Sequence, residues 1–208
     1  SGGVANSGVD TTTLSVASTV AVATVNDAPT LTATAANPTF TEGLGAGVQG
    51  AAVSVFSGAA ASTVETGQTI TGLTFTVSGL VDGANETIVV DGKTITLGAT
   101  GSGTTTTNGL SYTATVSGGT ATVVLSGGTL NATATQALVN GITYQNTNVD
   151  QPTAGNRVFT LTQVKDSGGV ANSGVDTTTL SVASTVAVAT VNDAPTLTAT
   201  AANPTFTE

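Results

Sequence analysis

The stretch SGGVANSGVDTTTLSVASTVAVATVNDAPTLTATAANPTFTE occupies residues 1–42, and the same letters, without a mismatch, occupy residues 167–208. The two copies are offset by 166 residues. Unrelated segments do not converge over such a length, so the chain carries one full period of a tandem repeat and part of another. Solenoids and propeller blades repeat at about 20–50 residues. A unit of 166 residues is instead large enough to bury a core of its own. The repeat therefore reads as an array of separate domains. Both ends of the sequence are expected to be cuts through that array, so the absence of a leader segment carries no information.

The domain limits follow from the same stretch. Residues 177–191, copied at 11–25, form a long run of Thr, Val, Ser and Ala that suits a strand. This run is expected to be the last strand of the domain. Pro29 halts it, because proline has no N–H for a ladder and a fixed φ. Thr30–Ala35 and Thr39–Thr41 are expected to open the next unit. Residues 1–28 thus read as the C-terminal strand region of a preceding repeat, 29–194 as one complete repeat, and 195–208 as the start of another.

Composition points the same way. Threonine supplies 46 of 208 residues, glycine 26, and Cys, His, Met and Trp are absent. β-Branched residues fit a pleated surface and glycine serves turns, while strong helix formers are scarce. The net charge is −9, from 12 acidic and 3 basic residues. Such a chain does not engage nucleic acid through phosphate contacts and is repelled by anionic membranes. No apolar run reaches the length of a membrane span. Without cysteine there is no disulfide scaffold, and the compartment is not legible from that fact alone.

Alternation with a period of two recurs along the chain. Leu73, Phe75 and Val77 share one face. Glu86–Val90 and residues 93–97 flank Asp91-Gly92, a hairpin signal because these residues accept left-handed turn positions. Residues 110–117 and Thr120–Ser126 flank Gly118-Gly119 in the same manner. Residues 52–56, 141–145 and 157–165 read as further strands, the last with Val158, Leu161 and Val164 as its apolar positions. Ala132–Asn140 is the one helix expected, between the capping residues Asn131 and Gly141. The glycine-rich pieces 98–103 and 117–119 read as hairpin loops, since they lack the Gly-Lys-Ser/Thr ending of a phosphate loop. Ten or more short strands with at most one short helix describe an all-β sandwich or barrel. Phe40, Phe56, Phe75, Tyr112, Tyr144 and Phe159 are the expected large core residues.

Val25-Asn26-Asp27-Ala28-Pro29, then Pro38-Thr39-Phe40-Thr41-Glu42-Gly43, resembles the cadherin-like repeats of large bacterial surface proteins. Residues 137–144 (ALVNGITY) and 157–168 (RVFTLTQVKDSG) look like the later part of the same repeats. The resemblance covers the domain's two ends and its C-terminal third; the middle is generic β sequence. It implies stacked immunoglobulin-like sandwiches, serving as stalks or spacers of adhesins at the bacterial surface. It also implies neighbouring repeats of the same chain as partners and calcium at the junctions. Asn26, Asp27 and Glu42 would then be ligands, with Asn192, Asp193 and Glu208 at the second joint.

The chain departs from that pattern. Thr24 stands where an aspartate is usual, and Asp-x-Asp and Asp-Arg-Glu are missing. The loop aspartates Asp10, Asp82, Asp150 and Asp166 would have to complete a site. Calcium takes six to eight oxygens, so a reduced site implies weak affinity, about 10⁻⁴–10⁻³ M. The same residues also read as turn chemistry with no metal, since Asn-Asp-Ala-Pro is a good turn and Glu42 a solvated loop charge.

Other chemistries have thin support. Without histidine or cysteine most catalytic triads and every imidazole or thiolate metal site are excluded, and the acids sit singly on turns, so the expectation is no enzyme. Threonine triplets such as Thr94-Ile95-Thr96 are scattered rather than arrayed as an ice-binding face. Asn85-Glu86-Thr87 and Asn131-Ala132-Thr133 match a glycosylation pattern that arises by chance in threonine-rich sequence. Lys93 and Lys165 are the lysines available for a Lys–Asn isopeptide bond. With no tryptophan and two tyrosines, a sugar-binding aromatic platform has little to build on. The alternative to a stalk is a self-assembling filament, sheath or biofilm-matrix protein with lateral or strand-exchange contacts. Few lysines protect its strand edges, and residues 177–191 are the exchangeable strand.

Overall fold

A computed structural model describes residues 3–9 and 11–208. Among the described residues there are thirteen strands and one α-helix, an all-β, sandwich-like fold. A two-stranded ribbon pairs β1 (Thr30–Ala35) with β4 (Phe56–Ser62). A four-stranded sheet runs β3 (Val53–Ser54), β11 (Thr143–Asn146), β6 (Glu86–Val90), β7 (Lys93–Thr96). The seven-stranded sheet runs β2 (Thr39–Thr41), β13 (Thr177–Ala189), β12 (Gly155–Asp166), β5 (Ile70–Ser78), β10 (Thr120–Ser126), β9 (Ser111–Ser117), β8 (Gly101–Thr104). All described pairings are antiparallel except β2 with β13, where Thr39, Phe40 and Thr41 lie beside Ala187, Val188 and Ala189.

The period-two pattern places the core. Leu73, Phe75 and Val77 of β5 and Ala121, Val123 and Leu125 of β10 face inward together and are buried. Tyr144 of β11 stands edge-on between Phe40 of β2, 5.7 Å away, and Phe159 of β12, 6.0 Å away. This edge-to-face stack ties the four-stranded sheet to the seven-stranded one. Tyr112 is only half-buried, packed against the core from its margin. The hairpin turns take the left-handed values their residues allow: φ is +49° and +75° at Asp91 and Gly92, and +56° and +72° at Gly118 and Gly119.

One irregularity shapes the end of the sandwich where β12 finishes. In β12 the register shifts between Leu161 and Gln163: against β5 the extra residue is Thr162, a β-bulge of β12, while against β13 the extra residue lies in β13, between Val182 and Thr179. Arg157, Phe159 and Leu161 face inward before it, Val164 and Asp166 after it. The extra residue flips the parity of the strand. It therefore turns Asp166 inward and makes Phe159, not Val158, the core residue.

The helix α1 (Ala132–Asn140) has the expected bounds. Asn131 Oδ1 accepts the Ala134 N–H at 2.8 Å, an N-cap that satisfies one of the free first-turn donors. Gly141 closes the helix with φ −84°, a right-handed value, so its lack of a side chain is not used for a left-handed cap. Replacing Asn131 by alanine is expected to cost about 1 kcal/mol, seen as a lower urea midpoint with unchanged slope.

Three expectations differ from the structure. Residues 11–25 form no strand and are exposed, although β13 has the same sequence. Residues 196–208 likewise lack the strands that their copies form as β1 and β2. A strand needs a neighbour to take its N–H and C=O groups, and only one copy of each segment has one. Gly101–Thr104 is also an edge strand rather than a loop, held by β9 despite four exposed residues.

Candidate functional site

The candidate residues lie at the two ends of the sandwich. The upstream end is set by the start of β5, the end of β12 and the start of β13, where Asp166 pairs with Ile70 and Lys165 with Thr177. The downstream end is set by the end of β2, the start of β12 and the end of β13, where Ala189 lies beside Thr41 and Val188 beside Gly155.

Asn26 is the hub of the upstream end and is buried. Its Nδ2 donates to Asp166 Oδ1 at 3.2 Å and to the Val175 carbonyl at 2.6 Å. Its Oδ1 accepts from Gln68 Nε2 at 2.7 Å. Asp166 Oδ1 also accepts the Gly168 N–H at 2.9 Å. Gly168 is required here by space: a Cβ on it would fall 1.8 Å from Asn26 Oδ1. The Asp27 N–H donates to Glu65 Oε1 at 2.8 Å, while the Asp27 side chain is exposed. Glu65 and Gln68, in the loop between β4 and β5, were not marked by any motif.

Glu42 is the buried acid of the downstream end, 4% exposed. Its Oε2 accepts the Val191 N–H at 3.4 Å, and its own N–H reaches the Ala189 carbonyl at 3.1 Å. Asp193 Oδ1 accepts the Gly45 N–H at 2.9 Å. Asp150 holds the Gly47 N–H of the same loop. Asn192 is exposed, unlike its copy Asn26, and Glu208 lies in the exposed terminal segment. Asp10 lies outside the described residues.

Asp82 belongs to a different cluster at the downstream end. Arg157, 1% exposed, donates Nε to Glu86 Oε1, and its Nη2 donates to Asp82 Oδ2 at 3.3 Å and to the Thr153 carbonyl at 2.9 Å. Glu86 Oε1 also accepts the Tyr144 hydroxyl at 2.9 Å, and Oε2 accepts the Val81 and Asp82 N–H groups. Asn146 and Thr153 N–H donate to Asp82 at 2.6 and 2.8 Å. Burial alone would raise the Asp82 pKa. The hydrogen bonds from Thr153 and Asn146 and the Arg157 charge outweigh it and hold the carboxyl below its usual range. Burial, then the Glu86 charge, pushes the Tyr144 hydroxyl well above its ordinary value. Burial would lower the Arg157 pKa, but the bond to and charge of Glu86 prevail and raise it. This network is closed on itself.

The two ends differ from that network in being incomplete. Among the described residues four buried side-chain atoms have no hydrogen-bond partner: Glu42 Oε1, Glu65 Oε2, Gln68 Oε1 and Asp166 Oδ2. All four are oxygens, and all four lie at the ends. Native proteins leave few such groups, so each calls for a partner. The donor set suits a hard cation, which takes oxygen ligands. Among the described residues, however, no three acidic groups gather at one point. Lys165, a candidate for isopeptide chemistry, pairs instead with Asp176 at 3.1 Å with its side chain half exposed.

Among the described residues no helix is long and apolar enough to cross a membrane. Compared with protein-family models, with curated proteins and with solved structures, the chain gives no match.

Proposed function

We propose that the 166-residue unit is a structural repeat, a cadherin-like stalk or spacer of a long extracellular bacterial protein of the adhesin kind, with calcium at its junctions. The observation that supports this reading most is the set of four buried, partnerless oxygens confined to the two ends. In an array the downstream end of one repeat faces the upstream end of the next. Glu42 and Asp193 then approach Glu65 and Asp166, and like charges repel unless a cation lies among them. Glu42, Asp193, Glu65, Gln68 and Asp166 are the residues that would hold it. The ion would supply charge neutralisation and a fixed angle between repeats. Asn26 spends its amide on Asp166 and orients that carboxylate.

The test is thermal unfolding of the chain lengthened by one period, in about 10 mM calcium and in excess chelator. With an affinity of about 10⁻⁴–10⁻³ M, calcium stabilises by about 1.4–2.7 kcal/mol, or roughly 3–10 °C. Glu42→Gln in both repeats is expected to remove most of that difference. Equal melting temperatures in calcium and chelator would overturn the calcium reading.

A second reading, a filament or matrix protein joined by strand exchange, is favoured by one observation. Residues 11–23 carry the β13 sequence and have no partner. That segment of one molecule has the pattern to fill the β13 place in another.

A further inference from the structure

The chain shows the same joint twice, each time from one side only. We propose that successive repeats dock face to face through the Asn-Asp dipeptide, Asn26 gripping the following repeat and Asp27 gripping the preceding one. This rests on reading the chain as a tandem array. At the first joint Asn26 binds Gln68, Asp166 and Val175, all of the repeat that follows it. At the second joint Asp193 binds Gly45, and Val191 binds Glu42, both of the repeat that precedes it. The offset of 166 maps Val25, Asn26 and Asp27 onto Val191, Asn192 and Asp193. The two halves therefore combine into one joint. Adjacent Cα atoms are about 3.8 Å apart, so a dipeptide bound on both sides brings the two ends into contact.

The apolar surface agrees. Leu44, Val48 and Val81 are exposed at the downstream end, Val64, Val170 and Val175 at the upstream end, between 46% and 79% each. Between residues 26 and 190 the other exposed large apolar side chains, Val89 and Val124, reach only 36% and 37%. The side walls are thus polar, and the ends carry the uncovered hydrocarbon. A cleft of about 370 Å³ opens at the upstream end between Thr24, Val25, Asn26, Glu65, Gln68 and Asn172. A preceding Gly45 bonded to Asp27 stands beside this cleft, which sets Leu44 at its mouth. The occupant is the residue 42–48 loop of the preceding repeat, and burying its apolar side chains stabilises the joint.

The experiment uses the chain lengthened by one period, residues 1–166 followed by 1–208. The sequence has no cysteine, so Ala46→Cys in the upstream repeat and Thr66→Cys in the downstream repeat can carry a single pair of spin labels. Both sites are exposed. A narrow, short distance distribution is expected, against a broad one for a control pair at Ala46 and Thr19 of the first segment. A broad distribution for the joint pair, in calcium and in chelator, overturns the docking. A narrow one in both media supports docking through the dipeptide and apolar contacts, and the melting comparison then decides the calcium reading separately. A narrow one in calcium alone supports docking with the cation as part of the joint. The variant Leu44→Ser is expected to broaden the distribution without changing the melting of a single repeat.

Discussion

Val186→Pro is expected to remove several kcal/mol of the repeat's stability, on the order of 4, while Val20→Pro leaves that stability unchanged. The two valines have identical neighbours, since residue 20 is the copy of residue 186 at the offset of 166. Local propensity is the same at both. Val186 is 0% exposed and pairs with Arg157 of β12, whereas Val20 is 81% exposed in a segment without strand structure. Proline at 186 removes a ladder donor and sets a bulky ring within a filled core. The sum is on the order of 4 kcal/mol, against a total stability of about 5–15 kcal/mol for a domain. Proline at 20 disturbs nothing that is paired, and an effect within about 0.5 kcal/mol is expected. Urea unfolding followed by circular dichroism measures both. Equal effects, or a tolerated Val186→Pro, would mean that residues 11–25 take the β13 place, which is what the strand-exchange reading requires.

That contrast shows where sequence patterns stop. Hairpins at Asp91-Gly92 and Gly118-Gly119, the helix Ala132–Asn140 and the strands Thr30–Ala35 and Thr39–Thr41 were legible because each is decided by a few adjacent residues. Pairing is not decided locally, so the sequence cannot tell which of two identical runs becomes β13. The bulge at Thr162 was hidden for a related reason. The Val158, Leu161, Val164 spacing averages two parities, and only the ladder shows the flip between them. Asn26, Glu42 and Asp166 were legible as end residues from the repeated phrase and its surroundings. Glu65 and Gln68 were not, because a loop residue has no period and its distance from Asn26 depends on the tertiary fold. Arg157 could have been found. It is the only arginine of the chain, and it sits two residues before Phe159 on a strand, so it shares the core face and needs a buried anion.

Arg157→Met is expected to cost about 3–5 kcal/mol, because it leaves the fully buried Glu86 without its cation. Methionine replaces the arginine stem, so the loss is one of charge and hydrogen bonds more than of packing. The control is the double variant Arg157→Met with Glu86→Gln. The amide oxygen still accepts the Val81 and Asp82 N–H groups that Glu86 Oε2 now holds, and the amide NH2, standing in the place of Oε1, donates to the Tyr144 hydroxyl, which turns to accept. The double variant is therefore expected to be more stable than the single one, a coupling that a merely steric defect would not show. Acid adds a second signature. The Asp82 carboxyl is held below its usual range, so its contribution is present above the unfolded value near 3.9 and fades as pH falls through the folded value. Without the Arg157 charge one of the causes of that depression is gone. The stability of the Arg157→Met variant should then depend less on pH below about 4 than that of the parent. Urea unfolding at pH 7 and pH 3 measures both effects. A deficit below about 1 kcal/mol at pH 7, or a double variant no more stable than the single, would show that the ion pair does not hold the downstream end together.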